Sequence, residues 1–390
     1  MKRREFLISG LTAPFFIQQL LAEGRDSLLD YQDTTEASFP YLEITGSYYD
    51  IGYQVGKSFG KNIEAVIRRQ KNWNQQLMEI QNSGEGKRKS REYHRLTQKH
   101  FPHLIQEING MADGSGIHFD AIWAICIKSE LSATEEEPEG CSTIVFKHDD
   151  NIWLFHNEDG NMAYDKMMFL VKINPPSGVS FISLVYPGII TGNGPSLNDK
   201  GIIQTTNYIG STESHIGIPR YLLGRALLEA SDLDEAINIA TLEPRAYPYH
   251  HNLGSSAENK YLSLETTPES WEVKEPNGMY CHTNHLLFTK TATYLAEDQE
   301  YKQSSSLSRY RVIEQKLKEF ADELQNPEDF LNILSSHINK PYSPCRHPQD
   351  DVHGLTLATA FYDFGEGAMR LFKGNPCQAV KNQHFTDLRF

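Results

Sequence analysis

The sequence predicts an α+β protein in which sheet packs on sheet with helices outside, preceded by a mostly helical N-terminal segment. Up to about residue 140, apolar residues recur at helical spacing. From Gly140 onward the period switches to two, the mark of half-buried strands. Helical runs then interrupt the strands, and the chain closes on strands again. Many strands with flanking helices bury their apolar faces most simply as a sheet-on-sheet core. The 390 residues are 39% hydrophobic and 23% charged, which is ample for a packed core and far from disordered or disulfide-scaffold compositions.

Taken in order, Ile51 to Met78 carries Val55, Phe59, Ile63, Ile67 and Trp73 near helical spacing and reads as helix. Gly84 to Arg91 is basic and polar and reads as a solvated turn. A second helical run passes through Leu96 and Ile105, and Phe119 to Ile127 reads as a third. The acidic run Glu135 to Gly140, broken by Pro138, reads as a loop. Strands are expected at 141–146, 151–156, 167–173, 179–186 and 201–208, with a turn at Pro175 to Gly178. Pro219 opens a helix to about Ala230, and Asp232 with Glu235 forms a capping box for the next. Strands follow at 260–265 and 271–274. A long helix starts near Ser306 with Leu307, Tyr310, Ile313, Leu317 and Phe320 on one stripe, and strands at 355–362 and 368–372 end the chain.

A formal net charge of −14 repels phosphate backbones, so nucleic acid is not the expected partner. The mean hydropathy of −0.50 and the lack of an apolar run near twenty residues predict no stable membrane span. Lys2-Arg3-Arg4-Glu5-Phe6-Leu7 resembles a twin-arginine export signal, followed by a modestly apolar stretch to Ala22 that Gln18 and Gln19 interrupt. The alternative is a basic arm on a cytoplasmic protein. The expected organisation is a signal segment over 1–22, a helical segment over 23–140 and a catalytic segment over 141–390, with the protein exported to the periplasm or outside the cell.

Five cysteines (Cys126, Cys141, Cys281, Cys345, Cys377) are too few for a disulfide scaffold and show no zinc-like spacing. An odd cysteine in an exported chain is a candidate nucleophile. Cys141 follows Gly140 where the helical part meets the first strand. Attack of its thiol on the Gly140–Cys141 peptide would shift the acyl group from nitrogen to sulfur, and water would then release a chain beginning at Cys141. Such a chain carries nucleophile and base on one residue, because a free α-amine titrates near pH 8. A hairpin would bring His156-Asn157-Glu158-Asp159-Gly160 beside Cys141, with Asp159 holding the new ammonium and Asn157 offering an amide donor near the attacked carbonyl. Cys281-His282-Thr283-Asn284-His285 supplies neutral donors, Asn284 being suited to an oxyanion hole. Taken alone, each cluster also reads as an ordinary polar turn.

Together these residues resemble the acyl-CoA:6-aminopenicillanate acyltransferase family of N-terminal-nucleophile hydrolases. The resemblance rests on Gly140-Cys141-Ser142-Thr143, Asn157-Glu158-Asp159, His282-Thr283-Asn284-His285, Ser343-Pro344-Cys345-Arg346-His347 and Thr356-Leu357-Ala358. The leader motif Gly46 to Gly52 with Val55-Gly56 adds to it. It implies a four-layer αββα fold and self-cleavage before Cys141 into α and β chains that stay associated. By the same resemblance Cys141 is the nucleophile, Asp159 positions its amino group, and Asn284 lines the oxyanion hole. Asn207 and His156 are expected to contact substrate, and Arg309, or else Arg311, is the site arginine. Glu158 and Gly160 replace the aromatic neighbour common beside the Asp, so the pocket is expected to differ.

The function expected is hydrolysis, or acyl transfer, of a linear carbon–nitrogen amide through an acyl-thioester. An exported enzyme has little acyl-CoA to draw on, which favours water as acceptor. No cofactor and no metal is expected. One alternative is an exported metal-dependent hydrolase using His282 and His285, although exposed loops explain those histidines, His148, His250 and His251 better. Another is a non-catalytic binding protein on the same fold.

Overall fold

The computed structural model describes residues 38–131, 140–148, 150–211, 214–294, 304–321, 323–348 and 354–390. The expected export signal and the acidic loop up to Glu139 lie outside them. The described chain builds two sheets. The first holds eight strands in the order β1-β4-β5-β6-β7-β8-β9-β10: β1 (Tyr41–Thr45), β4 (Phe169–Asn174), β5 (Phe181–Val185), β6 (Ser196–Asn198), β7 (Ile202–Tyr208), β8 (Tyr249–Ser255), β9 (Lys260–Thr266) and β10 (Trp271–Lys274). Six strands form the second in the order β11-β2-β3-β12-β13-β14: β11 (Met279–His282), β2 (Gly140–His148), β3 (Asn151–Asn161), β12 (Gly354–Asp363), β13 (Ala368–Lys373) and β14 (Phe385–Leu388). All pairs are antiparallel except β1 with β4.

Strand alternation separates the layers, because successive side chains face opposite sides of a sheet. Leu170 of β4, Ile182 and Leu184 of β5, Val145 of β2, Leu154 of β3 and Ala360 and Tyr362 of β12 fill one core between the sheets. Phe169, Val171 and Ile173 of β4 face the other way. They meet helices α1 (Tyr48–Arg69), α2 (Lys71–Asn82), α3 (Gly84–His100), α4 (Pro102–Ser115), α5 (Phe119–Cys126) and α7 (Arg220–Leu227). The short α6 (Lys128–Leu131) and α8 (Leu233–Ala240) complete that layer, and α9 (Thr289–Ala292) follows β11. On the opposite side, Ile144, Trp153, Phe155 and Phe361 pack under α10 (Ser304–Glu319), α11 (Pro327–Leu334) and α12 (Pro376–Ala379). The result is the expected four-layer αββα sandwich.

The N-terminal segment is part of that sandwich rather than a leader before it. Its strand β1 joins the eight-stranded sheet, and its helices form most of one outer layer. Gly52 and Gly56 on α1 face Gly110 and Gly114 on α4. A Cβ on any of the four would collide with main-chain atoms of the other helix, so these glycines set how closely the two helices approach. A buried ion network ties the layer down: Arg225 of α7 meets Glu107 of α4 at 2.9 Å and Glu229 at 2.9 Å, and Thr191 donates to Glu107 at 2.8 Å.

Several local expectations are corrected. Gly84–Arg91 is helix, opened by Ser83, whose hydroxyl accepts from Gly86 N. Asp232 caps α8 by accepting from Glu235 N at 2.8 Å, but the Glu235 carboxylate reaches Ser231, not Asp232. Phe320, just past the end of α10, is exposed and Arg309 is buried, so the inward stripe of α10 is Ser306, Arg309, Val312, Ile313 and Leu317. His250 and His251 lie in β8, and they are buried together with His282 and His285. Of the five histidines expected in exposed loops, His148 alone keeps partial exposure.

Candidate active site

Cys141 stands at the start of β2, between β11 and β3. Because β2 ends at His148 and β3 begins at Asn151, the hairpin register sets Gly140 opposite Asp159, Cys141 opposite Glu158 and Thr143 opposite His156. Alternation then sends Cys141, Thr143, Glu158 and His156 toward the other sheet, and Ser142 and Asn157 toward α10 and α11.

Three partners hold the nucleophile candidate. Its backbone N–H donates to Asn284 Oδ1 at 2.9 Å. Arg309 donates from Nη1 to the Cys141 carbonyl and, at 2.9 Å, to Ser142 Oγ, and from Nη2 to Asn284 Oδ1 at 2.7 Å. The thiol lies 3.8 Å from Glu158 Oε1. Burial pushes the Cys141 thiol well above its ordinary pKa, and the charges of Glu158 and Asp159 push the same way. Arg309 is lowered to about 10 by burial, against the pull of Asp159, and so stays cationic at neutral pH.

The loop carrying Asn284 is fixed from both sides. Ser306 of α10 accepts from Asn284 N at 2.7 Å, and Asn284 Nδ2 donates to the Tyr208 carbonyl at 2.8 Å. Behind it, the buried Glu265 carboxylate accepts from Leu287 N and Phe288 N, contacts Thr291 and lies 3.0 Å from His282 Nε2. His282 has its other ring nitrogen 2.7 Å from the Thr283 carbonyl, and His285 contacts Ser306 Oγ. Burial lowers His285 to about 3. Among the described residues, neither histidine belongs to a group of three or more clustered metal-ligand side chains. They act as scaffolding for the Asn284 loop.

Asp159 accepts from Thr356 at 2.7 Å, while its Oδ2 is buried with no hydrogen-bond partner among the described residues. Burial pushes its carboxyl up, and the Arg346 and Arg309 guanidiniums partly offset that. The Cys141 N–H therefore meets Asn284 and not Asp159, which pairs with Gly140. A Cβ on Gly140 would sit 3.0 Å from Arg346 Nη1 and 3.1 Å from Arg309 Nη2, so two guanidiniums crowd the residue before the nucleophile.

The structure does not bring Asn157 to the thiol. Its amide donates to the Leu334 and Pro344 carbonyls at 3.0 and 2.9 Å and accepts from Thr359 at 2.7 Å, all on the far face of the sheet. Neither His156 nor Asn207 lines the cleft. Both contact Thr143 Oγ1, at 2.9 and 3.2 Å, His156 Nε2 also lies 3.2 Å from Glu158 Oε2, and Asn207 Oδ1 accepts from Asn252. Arg311 is exposed, and Arg309 is the arginine that reaches Cys141.

The cleft at the thiol is lined by Glu158, Asp159, Tyr186, Tyr208, Arg220 and Tyr249 among others, with a volume of about 30 Å³. Tyr186 donates to Glu158 Oε1 at 2.6 Å. The Arg220 guanidinium stacks on Tyr208, Tyr221 and Tyr249 at 4.3–5.0 Å. Of these, the sequence singles out Asp159 as a site residue and Glu158 as a departure from the family pattern, and the hairpin turn alone places Glu158 opposite Cys141; Tyr186, Tyr208, Arg220 and Tyr249 carry no local signal. Cys141, His156 and Glu158 offer ligand atoms within 4.8 Å of one another, but a cation there would take the thiol out of use.

A sequence profile of the acyl-coenzyme A:6-aminopenicillanic acid acyl-transferase family matches residues 145–378. The β-alanyl-dopamine/carcinine hydrolase of Drosophila melanogaster is 26% identical over 218 residues, covering 51% of this chain and 56% of that protein, so the chain spans little more than half that relative's length. Two solved variants of conjugated bile acid hydrolase from Clostridium perfringens align with TM-scores of 0.43 and 0.42 at 14% identity, over 64% of this chain and 92% of theirs. The profile covers more than half of the residues, and this chain belongs to the acyl-coenzyme A:6-aminopenicillanic acid acyl-transferase family.

Proposed function

We propose that this chain is a self-processing cysteine hydrolase of linear amides, with Cys141 as the nucleophile in both self-cleavage and turnover. The observation that carries this reading is the convergence on Cys141: N–H to Asn284, carbonyl to Arg309, thiol to Glu158.

In the uncut chain there is no α-amine to act as base, and Glu158 is the carboxylate within reach of the thiol. Glu158 takes the thiol proton, and sulfur attacks the Gly140 carbonyl carbon. As the S–C bond replaces the C–N bond, the proton returns to the departing Cys141 nitrogen. The guanidiniums of Arg309 and Arg346, which crowd the position a Gly140 Cβ would take, are the cations available to stabilise the negative charge developing on the Gly140 oxygen. Water then hydrolyses the thioester, leaving a Gly140 carboxylate and a free Cys141 amine held by Asn284 Oδ1. In turnover that amine takes the thiol proton, sulfur attacks the substrate carbonyl, the proton passes to the substrate nitrogen as its C–N bond breaks and the amine departs, and water then hydrolyses the thioester to release the acid.

Hydrolysis is favoured over transfer by the similarity to a relative named as a hydrolase of β-alanyl-dopamine and carcinine. Export through residues 1–22 belongs to the same reading and is tested by fractionating cells that express the full chain.

The deciding experiment is the denatured intact mass of wild type beside Cys141→Ala. Two chains in the wild type, one being residues 141–390, and an uncut variant support the reading. One uncut chain in both samples removes the free amine and the mechanism with it.

A further inference from the structure

A second cluster lies on the opposite side of the six-stranded sheet from the cleft, and the proposed chemistry makes no use of it. His337 follows α11, Cys345 and His347 sit in the segment leading to β12, and Cys377 lies on α12. Their ligand atoms all fall within 4.8 Å of one another. His347 Nε2 is the common point: it is 3.1 Å from His337 Nε2, 3.5 Å from Cys345 Sγ and 3.4 Å from Cys377 Sγ. One ring nitrogen has either a single proton or a single lone pair, so it cannot satisfy three such partners at once. A cation at their shared centre satisfies all four.

We propose that His337, Cys345, His347 and Cys377 form a structural zinc site. Two thiolates and two imidazoles are a donor set that selects zinc, and with four protein ligands the site keeps no open position for catalysis. Zinc–nitrogen bonds of about 2.0 Å and zinc–sulfur bonds of about 2.3 Å in a tetrahedron place neighbouring ligand atoms about 3.3–3.8 Å apart. The three contacts around His347 need to move only a few tenths of an ångström to match. Binding releases the two thiol protons to solvent, with no change of redox state.

The position gives the site a structural role. Cys345 and His347 flank Arg346, whose guanidinium reaches Gly140. The same segment is tied to the end of α11 by Cys345 N donating to the Ser336 carbonyl, to the start of α12 by Asn375 Nδ2 donating to the Arg346 carbonyl at 2.6 Å, and to β12 by Thr356 N donating to the same carbonyl at 3.1 Å. A metal clamping residues 345 and 347 to α12 fixes the segment that delivers Arg346 to the cleavage point.

The test is elemental analysis of the purified full-length protein, grown with zinc and never exposed to chelator, read together with thiol labelling. The expected result is one zinc per chain, with Cys345 and Cys377 protected from a thiol-directed reagent until chelator is added. His337→Ala alters an exposed side chain and leaves the fold intact; with Cys377→Ala, it should lower zinc content at least about tenfold. Any of three results overturns the site. The wild type has no zinc and freely labelled thiols; or its mass is lighter by two hydrogens, with Cys345 joined to Cys377; or its zinc content is unchanged in both variants. Metal content is read without reference to catalysis, so the outcome is independent of whether Cys141 is the nucleophile.

Discussion

Glu158 places Oε1 3.8 Å from the Cys141 thiol while accepting the Tyr186 hydroxyl at 2.6 Å. A carboxylate against a buried thiol has two effects of opposite use. Its charge raises the thiol pKa, which disfavours thiolate, and its basicity offers the proton a place to go. In the proposed self-cleavage the second effect is the one that matters, because an uncut chain has no free amine at Cys141.

Glu158→Gln separates the two. With the negative charge gone, the Cys141 thiol titrates at lower pH, so the midpoint of its labelling by a small alkylating reagent moves down. Self-cleavage, deprived of its base, slows by about 100-fold or more. A variant that cleaves at the wild-type rate would show that Glu158 acts only through its charge, and an unmoved midpoint would show that even the charge does not reach the thiol.

Arg309→Lys keeps a positive charge but loses the planar fork that joins the Cys141 carbonyl to Asn284 Oδ1. Self-cleavage should fall by about 100- to 1000-fold, followed as the rate at which residues 141–390 appear on denaturing gels. The exposed Arg311, changed to Lys in parallel, should leave that rate alone. Equal effects of the two substitutions would remove Arg309 from the site.

Asn157→Ala tests the far face of the sheet. The Leu334 and Pro344 carbonyls and the Thr359 hydroxyl each lose a buried partner, so unfolding free energy should drop by about 2–4 kcal/mol, measured by denaturant titration of the Cys141→Ala background. In the otherwise wild-type chain, folded molecules should still self-cleave within about threefold of the normal rate, since Asn157 contributes to folding and not to the chemistry. A fully folded Asn157→Ala protein that does not cleave would place Asn157 back among the reacting groups.

Much of this was legible from residue pattern. The switch from helical to two-residue period at Gly140 marks the first strand of the six-stranded sheet, and Cys141, Asp159, Asn284 and Arg309 are site candidates on motif alone. Asn157 was misplaced by one step of alternation. Adjacent residues on a strand face opposite sides, so a motif that groups Asn157 with Glu158 and Asp159 cannot say which of them meets the thiol. The buried histidines were misjudged because β8 was not recognised. His250 and His251 look like loop residues until β7 and β9 enclose them and Asn207, Ser263 and Glu265 supply their layer with polar partners.

The sequence by itself determined the αββα class and the family and singled out Cys141 as the candidate nucleophile, because periodicity and a few short motifs are local properties of the chain. Only the tertiary structure decided which side chains share a site. Arg309 reaches Cys141 across 168 residues, and Cys377 comes to His347 across 30. The second of these distances is why four potential zinc ligands, spread over His337, Cys345, His347 and Cys377 with no recognisable spacing, could not be read as a set. Their convergence depends on how α11, α12 and the approach to β12 pack on one sheet, and that packing is a property of the whole fold.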